Sequence, residues 1–527
     1  PVGNGEESCC DGELILYWGE LHLHTAESFV STMMGNRLGV EDADRFAKGE
    51  PLQGAGGETM QLSRPLDFVA ITDHAESFGI RTHCDNPNLS LLERAACWVM
   101  DQNNPIFLTI IVDGARGTAD PGDPSLPAGV YQPKVYKSPT ADRFPTCNWG
   151  VGTVERCYDN VSKDWARYVQ LADDYYEPGE LTTLIAYEYS PGMPDQGKHH
   201  RNVIFRSNIV PVRSISSMDV PNAIELWKGL EATCDKGDGC DFLTIPHNSN
   251  KAWGLTFSRY TWDGQQFDED DWLLRQRREP LVEIFQNKGA SECALGVGAT
   301  DEECSFAQVL EPCQPGELSG CAFQSAFVRQ GLKVGLELEQ ELGFNPLQIG
   351  AIAATDNHNA NPGNVEEWDY RGAVGTISSP AARRVSGDNR GDKPYQSQLK
   401  FSTSGGLAAV WAPENTREAI FDALARRETY ATSGPRIALR FYAGWDIDAA
   451  AMDSPGLISH LEANAVAMGA VLPAWSGTEE PGIEDLSNES GGNIIKSPEF
   501  IVWAVRDAMD APLQRIQRVK GWIDDAG

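Results

Sequence analysis

The residues of this 527-residue chain best equipped for chemistry are histidines and carboxylates set in short clusters. His22 and His24 stand two apart, and on a strand alternate side chains share a face, so both imidazoles can reach one ion. His74 follows an apolar run directly, Glu188 follows TTLIAY, His247 follows FLTIP, and Asp356 with His358 follows IGAIAAT. Of nine histidines, His22, His24, His74, His247 and His358 occupy such ends, His199 and His200 come shortly after Glu188, and His83 and His460 fall elsewhere. A single HxH pair is weak evidence, because two histidines on one strand face are often satisfied core or surface residues. Five strand-end elements in one chain point to a gathered site. Imidazole with carboxylate suits zinc, manganese or iron, and a carboxylate such as Glu188 can bridge two ions. Metal coordination lowers the pKa of bound water toward ~7, and two ions ~3.5–4 Å apart stabilise both the attacking and the leaving oxygen, so the implied chemistry is hydrolysis.

The elements that must hold these groups are short apolar runs, each ending in polar or ionisable residues: Leu14 to Leu23, Leu66 to Thr72, Thr182 to Ala186, Phe242 to Ile245, Leu281 to Phe285 and Ile349 to Ala354. Helical patterns lie between or after them, at Ala223 to Ala232, Ser325 to Leu342 and Thr416 to Arg427. Strands alternating with helices, with reactive side chains at strand C-terminal ends, predict an α/β fold of the β/α-barrel type. Residues 86–162 are rich in Pro, Gly, Asp and Cys without a clean period and read as a long insertion. After Pro435 the character changes. Arg436 to Tyr442 and Phe500 to Val505 look like strands and Leu513 to Ile523 alternates, so residues 436–527 are expected to form a smaller β-rich domain beside a first domain of residues 1–435.

Composition narrows the setting. Hydrophobic residues at 41% and charged residues at 23% argue against wholesale disorder. The formal charge of −33 repels nucleic acid unless a basic groove overrides it, and no basic run is present. No apolar run reaches the ~18 residues a membrane-spanning helix needs. Most of the twelve cysteines fall in locally spaced pairs, Cys84 with Cys97, Cys147 with Cys157 and Cys234 with Cys240, followed by Cys293, Cys304, Cys313 and Cys321. None forms CxxC, which favours disulfides and a periplasmic or secreted setting over zinc ribbons, with the connectivity left open. A start at Pro1 without a signal peptide fits a mature exported product, and strand-like sequence close to Gly527 suggests that the natural chain continues.

YWGELHLHT, RPLDFVAITDH, PHNSN and ATDNH together resemble the PHP (polymerase and histidinol phosphatase) superfamily. DRFAKGE, DHAE, HRNVIFR, IPHNSN, VEIFQNKGASEC and GGLAAVWA with RRETYATSGPRI resemble, more closely, a bacterial family of PHP-like proteins long catalogued as a domain of unknown function. The resemblance implies a distorted, TIM-like β/α barrel with two or three divalent metal ions. It implies His22, His24, Glu188 and Asp356 around one ion, His74 and His358 on a second, and Glu188, His200 and His247 on a third. PHP proteins often supply another ligand six residues past the second His of the first motif. Val30 stands there, leaving Asp73, Glu76 or water to complete that shell. Asp73 is expected to orient a ligand. Arg201 and Lys288 are candidate contacts for an anionic substrate, with a structural salt bridge as the equal alternative for each. Glu283, Gln286, Glu292 and the Tyr430 to Arg436 segment read as packing.

GxSxG, P-loop and HExxH motifs are absent, which leaves metal-bound hydroxide as the expected nucleophile. The expected substrate is a small, anionic phosphoric or phosphonic ester. The alternatives are carboxylic, carbamic or sulfuric esters on the same site, and a binding protein that keeps the fold without catalysis.

Overall fold

A computed structural model describes residues 14–101, 118–120, 134–137, 154–192, 197–262, 264–315, 317, 320–378, 381–382, 403–445, 447, 456–475 and 497–523. Strand β1 (Ile15–Glu20) pairs in parallel with β2 (Phe68–Ala70), which pairs in parallel with β3 (Thr182–Leu184). A second sheet is antiparallel throughout: β4 (Ala186–Tyr189), β5 (Arg201–Phe205) and β6 (Phe242–Pro246), with β5 in the middle. A third holds β7 (Leu281–Gln286) parallel to β8 (Gly350–Ala353), with the short strand Gly289–Ala290 on the other side of β7. Strand β9 (Leu407–Ala412) returns antiparallel to β1 and carries β10 (Thr429–Thr432) on its far side.

The described residues therefore form a mixed α/β fold with several open sheets, and the expected closed β/α barrel is not found. The reason lies in strand direction. A barrel of that type needs parallel neighbours throughout, whereas β1–β9 and β4–β5–β6 run antiparallel and interrupt the repeat. The sheets nonetheless share one interior. Phe68 and Ala70, Leu184 and Ala186, Ile204, Leu243 and Ile245, Leu281, Ile352 and Ala408 all pack in one buried cluster. The intervening Val69, Ile185, Val203 and Val282 belong to a second cluster with Trp165 and Trp227. That two-sided burial is why these strands are continuously apolar rather than alternating.

The helices follow from periodicity and caps. α1 (Val154–Asp174) buries Val161, Trp165 and Tyr168 on one stripe. α2 (Ala223–Thr233) starts at Asn222, whose side chain accepts from the Glu225 amide. α3 (Val328–Leu342) ends at Gly343 in the left-handed region. α4 (Arg417–Arg426) is capped by Thr416, which accepts from the Ala419 amide.

β11 (Ala438–Gly444), β12 (Val466–Ala467) and β13 (Glu499–Val505) form a separate antiparallel sheet, close to the strands expected there. Leu513 to Ile523 forms no strand: it enters no ladder with the described strands, and Ile516, Val519 and Trp522 are exposed. Most of the insertion expected over residues 86–162 lies outside the described residues. Within it, Leu91–Asp101 and the start of α1 are helical, so the region is not wholly aperiodic. Disulfides join Cys84 to Cys97, Cys234 to Cys240, Cys293 to Cys304 and Cys313 to Cys321, and Cys157 is also disulfide-bonded. No helix among the described residues is long and apolar enough to cross a membrane.

One glycine controls how closely β1 and β2 approach. Gly19 pairs with Phe68, and a Cβ there would overlap both the Phe68 ring and its carbonyl. Gly19→Ala should therefore cost about 1–3 kcal/mol by overpacking. Urea unfolding measures it, and a change inside experimental error would contradict the β1–β2 register.

Candidate metal centre

The segment leaving β1 runs Leu21 to Thr25 and is buried throughout. Leu21 anchors in the shared interior and Leu23 in the outer cluster. Backbone bonds then tie this segment to the ends of two other strands. The Asp356 amide donates to His22 O at 2.8 Å, and the Thr72 amide donates to Leu23 O at 2.8 Å. The Glu188 amide donates to Asp73 O at 3.1 Å, and the His247 amide to His200 O at 3.4 Å. Buried Glu20 adds a pin beneath the site: its carboxylate accepts from the amides of His22 (3.0 Å), Thr355 (3.0 Å) and Gly363 (3.1 Å).

His22 and His24 are each oriented from behind. His22 Nδ1 lies 2.9 Å from Glu283 Oε2, which leaves Nε2 facing Glu188 Oε2 and Asp356 Oδ1, both at 3.5 Å. His24 Nδ1 lies 3.2 Å from Ser28 Oγ, and that hydroxyl donates to Asp73 Oδ1 at 2.6 Å. Having spent its hydrogen on Asp73, Ser28 can only accept from His24, so the His24 proton belongs on Nδ1 and the Nε2 lone pair points inward. It stands 3.1 Å from Glu188 Oε2 and 3.3 Å from Asp356 Oδ1. Asp73 also accepts from the Thr25 amide and hydroxyl and from Tyr168, so it orients and does not face the cluster.

Glu188 lies at the centre. Its Oε1 accepts from His200 Nδ1 at 2.5 Å and contacts His247 Nε2 at 2.9 Å, while its Oε2 lies 3.2 Å from His74 Nδ1. Asp356 adopts φ +50°, a left-handed conformation uncommon for a residue with a side chain. That conformation presents Oδ1 to His22 and His24, while Oδ2 accepts from Gln286 Nε2 at 2.6 Å and pairs with Lys288 Nζ.

The donor atoms fall into three groups, each with members within 4.8 Å of one another: His24, His74 and His358; His22, Glu188 and His247; and His22, His24 and Asp356. His22 Nε2, His24 Nε2 and Glu188 Oε2 are buried without a hydrogen-bond partner among the described residues. Buried polar atoms are nearly always satisfied, and imidazoles held through one nitrogen with the other left bare are the usual arrangement of metal ligands. The donor set fits divalent cations.

A family model for a protein family of unknown function, DUF3604, matches residues 12–527. The chain belongs to that family. No curated protein matches it in sequence. Among solved structures, a two-domain protein from Bacteroides vulgatus containing a predicted PHP-like metal-dependent phosphoesterase aligns at 11% identity and a TM-score of 0.28. The alignment covers 80% of this chain and spans 66% of that one. A likeness that slight carries no argument about the reaction, which rests on the residues of the DUF3604 chain itself.

Those residues sort clearly. His22, His24, His74, Glu188, His247, Asp356 and His358 converge, as the strand-end pattern anticipates. His200 reaches Glu188 but joins none of the three groups. His24 is the third member beside His74 and His358, the pair left incomplete by Val30. Glu76 is turned elsewhere, accepting from the amides of Ser190 and Ser217. Arg201 takes the salt-bridge alternative and not the substrate contact: it sits buried on the opposite strand face from Asn202, with Nε 2.6 Å from Glu279 Oε2 and its guanidinium over Trp227. Glu283 and Gln286 are corrections, because they hold His22 and Asp356 rather than merely pack. Glu292 pairs with Arg329, and the Tyr430 hydroxyl donates to Ile437 O, so these two are structural. Ser28 escaped sequence reasoning altogether, for a lone serine carries no signal until its neighbours are known.

The charges of this DUF3604 site follow from burial against pairing. Burial lowers the pKa of His24, and lowers those of His74 and His358 well below the usual range. Burial also outweighs Glu188 at His200, down to about 3, and, with the His22 charge, at His247, down to about 4. His22 goes the other way: burial lowers it, but Glu283 and Glu188 together raise it to about 9. Glu188 is pulled well below a normal carboxylate against burial, by His74, His247 and His200. For His247 the unfolded chain takes up a proton near pH 6.5 and the folded one only near 4, so stability falls as pH drops through that window.

At pH 7.5, above the ordinary histidine pKa of 6.5 below which burial holds the others, His22 is the imidazole that must give up a proton for its Nε2 to ligate. Metal uptake should therefore release about one proton and strengthen about tenfold per pH unit. Calorimetry in buffers of different ionisation enthalpy counts the protons; release of three or more contradicts the assigned charges. Glu283→Gln should weaken metal binding by about 10–100-fold while the chain stays folded. Unchanged affinity would remove Glu283 from the site.

Proposed function

We propose that this chain is a metal-dependent hydrolase of phosphoric or phosphonic esters, using two or three divalent ions of manganese, zinc or iron. One observation carries the reading: imidazole nitrogens and carboxylate oxygens from five separate strand ends converge within a few ångströms, with His22 Nε2, His24 Nε2 and Glu188 Oε2 buried and bare among them. His22, His24, His74, Glu188, His247, Asp356 and His358 would hold the ions, with His200 tethering Glu188. Bound ions of this kind supply Lewis acidity and an activated water.

The chain's own residues define the rest. Glu283 and the Ser28–Asp73 pair fix the imidazoles so that their inward nitrogens stay deprotonated when the site is loaded. Gln286 and Lys288 hold one oxygen of Asp356 and leave the other toward the histidines. Lys288 stands closest to where charge builds on a transferring phosphoryl oxygen, and an ammonium there favours an oxyanion. We also read residues 1–435 as a PHP-like metallohydrolase domain, a distorted relative of the barrel whose antiparallel strands leave its sheets open, and residues 436–527 as an accessory β-rich domain. The disulfides support an oxidising compartment, periplasmic or extracellular.

The test is a panel of chromogenic phosphate, phosphonate, carboxylate and sulfate esters run with elemental analysis of the same preparation. Stoichiometric metal and metal-dependent turnover of the phosphorus esters are expected. His24→Ala and Asp356→Ala should lower that turnover at least about 1000-fold, given the several kcal/mol a metal contributes. Turnover confined to carboxyl or sulfate esters overturns the substrate, and a metal-free, inert protein overturns the enzyme.

A further inference from the structure

The three donor groups are not alike. Two of them hold a carboxylate, Glu188 in one and Asp356 in the other, and both include His22. The third, His24 with His74 and His358, is imidazole alone. Each ring of this trio is also backed by a neutral group: the nearest partner of Nδ1 is Ser28 Oγ at 3.2 Å for His24, Ser190 Oγ at 2.6 Å for His74, and the Asp356 backbone carbonyl at 3.1 Å for His358. His22, by contrast, has the Glu283 carboxylate behind it. The carboxylates nearby leave the trio no oxygen of its own. Glu188 Oε2 stands 3.1 Å from His24 Nε2 and 3.2 Å from His74 Nδ1, but it faces His22 as well, and Oε1 is engaged by His200 and His247. Asp356 Oδ1 faces His22 and His24, and Oδ2 goes to Gln286 and Lys288.

We propose that His24, His74 and His358 form a separate, imidazole-only position that takes a zinc-class ion and passes over manganese, so that the centre loads one more ion of zinc than of manganese. The inference rests on the metal-dependent reading and names the residues that choose the ion. Imidazole suits zinc, copper, nickel and iron, whereas manganese favours anionic oxygen and binds most weakly of the first-row divalent ions to a given donor set. The groups built on His22 with Glu188 or Asp356 offer such an oxygen. The trio offers at most one that a neighbouring ion also claims. A shared oxygen is the poorer donor because its charge is divided, and two adjacent dications repel each other. Zinc offsets that cost through three imidazoles better than manganese does. A carboxylate behind a ring raises its basicity as a ligand, and the nearest partners of the trio do not supply one. His74 and His358, which belong to the trio alone, keep 9% and 7% exposure, whereas His22, His247, Glu188 and Asp356 keep 2% or less. The position that discriminates between ions is therefore the one nearest solvent.

The experiment is metal stoichiometry, which needs no substrate. The chain, stripped by chelator, is dialysed against equal free zinc or manganese, and the bound ion is counted by elemental analysis. Manganese is followed as well through loss of the paramagnetic resonance signal of the free ion. Wild type should hold about one equivalent more of zinc than of manganese. His358→Ala and His74→Ala each remove a ligand of the trio alone, so both should lose that extra zinc and keep the manganese count, which also shows that they fold. His358→Glu returns an anionic oxygen to the position and should raise the manganese count by about one. Equal loading of the two ions by wild type overturns the proposal, as does a manganese count that falls in His358→Ala with its circular dichroism intact. A zinc excess that survives both alanine variants puts the extra ion elsewhere on the chain and overturns it too. Failure to hold either ion would instead sink the metal-centre reading, and the proposal with it.

Discussion

The arrangement everything else serves is a set of lone pairs facing one another in a buried interior. His22 Nε2, His24 Nε2 and Glu188 Oε2 are buried and unsatisfied, and each such group costs about 1–3 kcal/mol when left bare. A fold that merely stored histidines in its core would turn those atoms to hydroxyls or carbonyls. Here the outward nitrogens of His22 and His24 are the ones that find partners, and the inward ones are kept empty. Stability is given up at one spot to hold a geometry that a bound cation would relieve, and the binding free energy of such a cation would then add to the folding free energy.

Holding the geometry falls to strand ends whose flanking residues are buried on both sides. Leu21 and Leu23 anchor in different clusters, so the segment carrying His22 and His24 cannot slide without withdrawing one of them. Glu20 ties three chain segments together through their amides, and burial raises its own pKa to about 7. The left-handed backbone at Asp356 completes the arrangement, in a segment pinned by the His22 carbonyl on one side and the Asn287 side chain on the other.

Much of this was legible in the amino-acid order, because a strand that is apolar until its last residue announces where its end lies. His74, Glu188, His247, Asp356 and His358 could be placed on that ground alone, and the helices at α2, α3 and α4 by their period. Strand direction was not legible. HRNVIFR and GGLAAVWA carry no mark that β5 and β9 run against their neighbours, and those two reversals separate open sheets from a closed barrel. The alternation of Leu513 to Ile523 misled for a related reason: a strand needs an edge to pair with, and periodicity does not supply one. Arg201 stayed between two readings because adjacency to His200 does not say which way a side chain on β5 turns, and it turns to Glu279. The supporting residues were hidden most completely, since Ser28 and Gln286 act only through contacts with residues far along the chain.

The contrast between surface and site has a consequence for binding. A net charge of −33 spread over the surface repels an approaching anion, but at physiological ionic strength that repulsion is screened beyond about 8 Å. Charges in the buried site are screened far less, so on the hydrolase reading affinity there would be set locally by Lys288 and by whatever the histidines hold. With such a division, raising the salt weakens the surface repulsion more than the attraction inside. On the hydrolase reading, the same acidic surface speeds the departure of an anionic product once it has left the mouth, and the enzyme keeps an affinity for anions without being clogged by them.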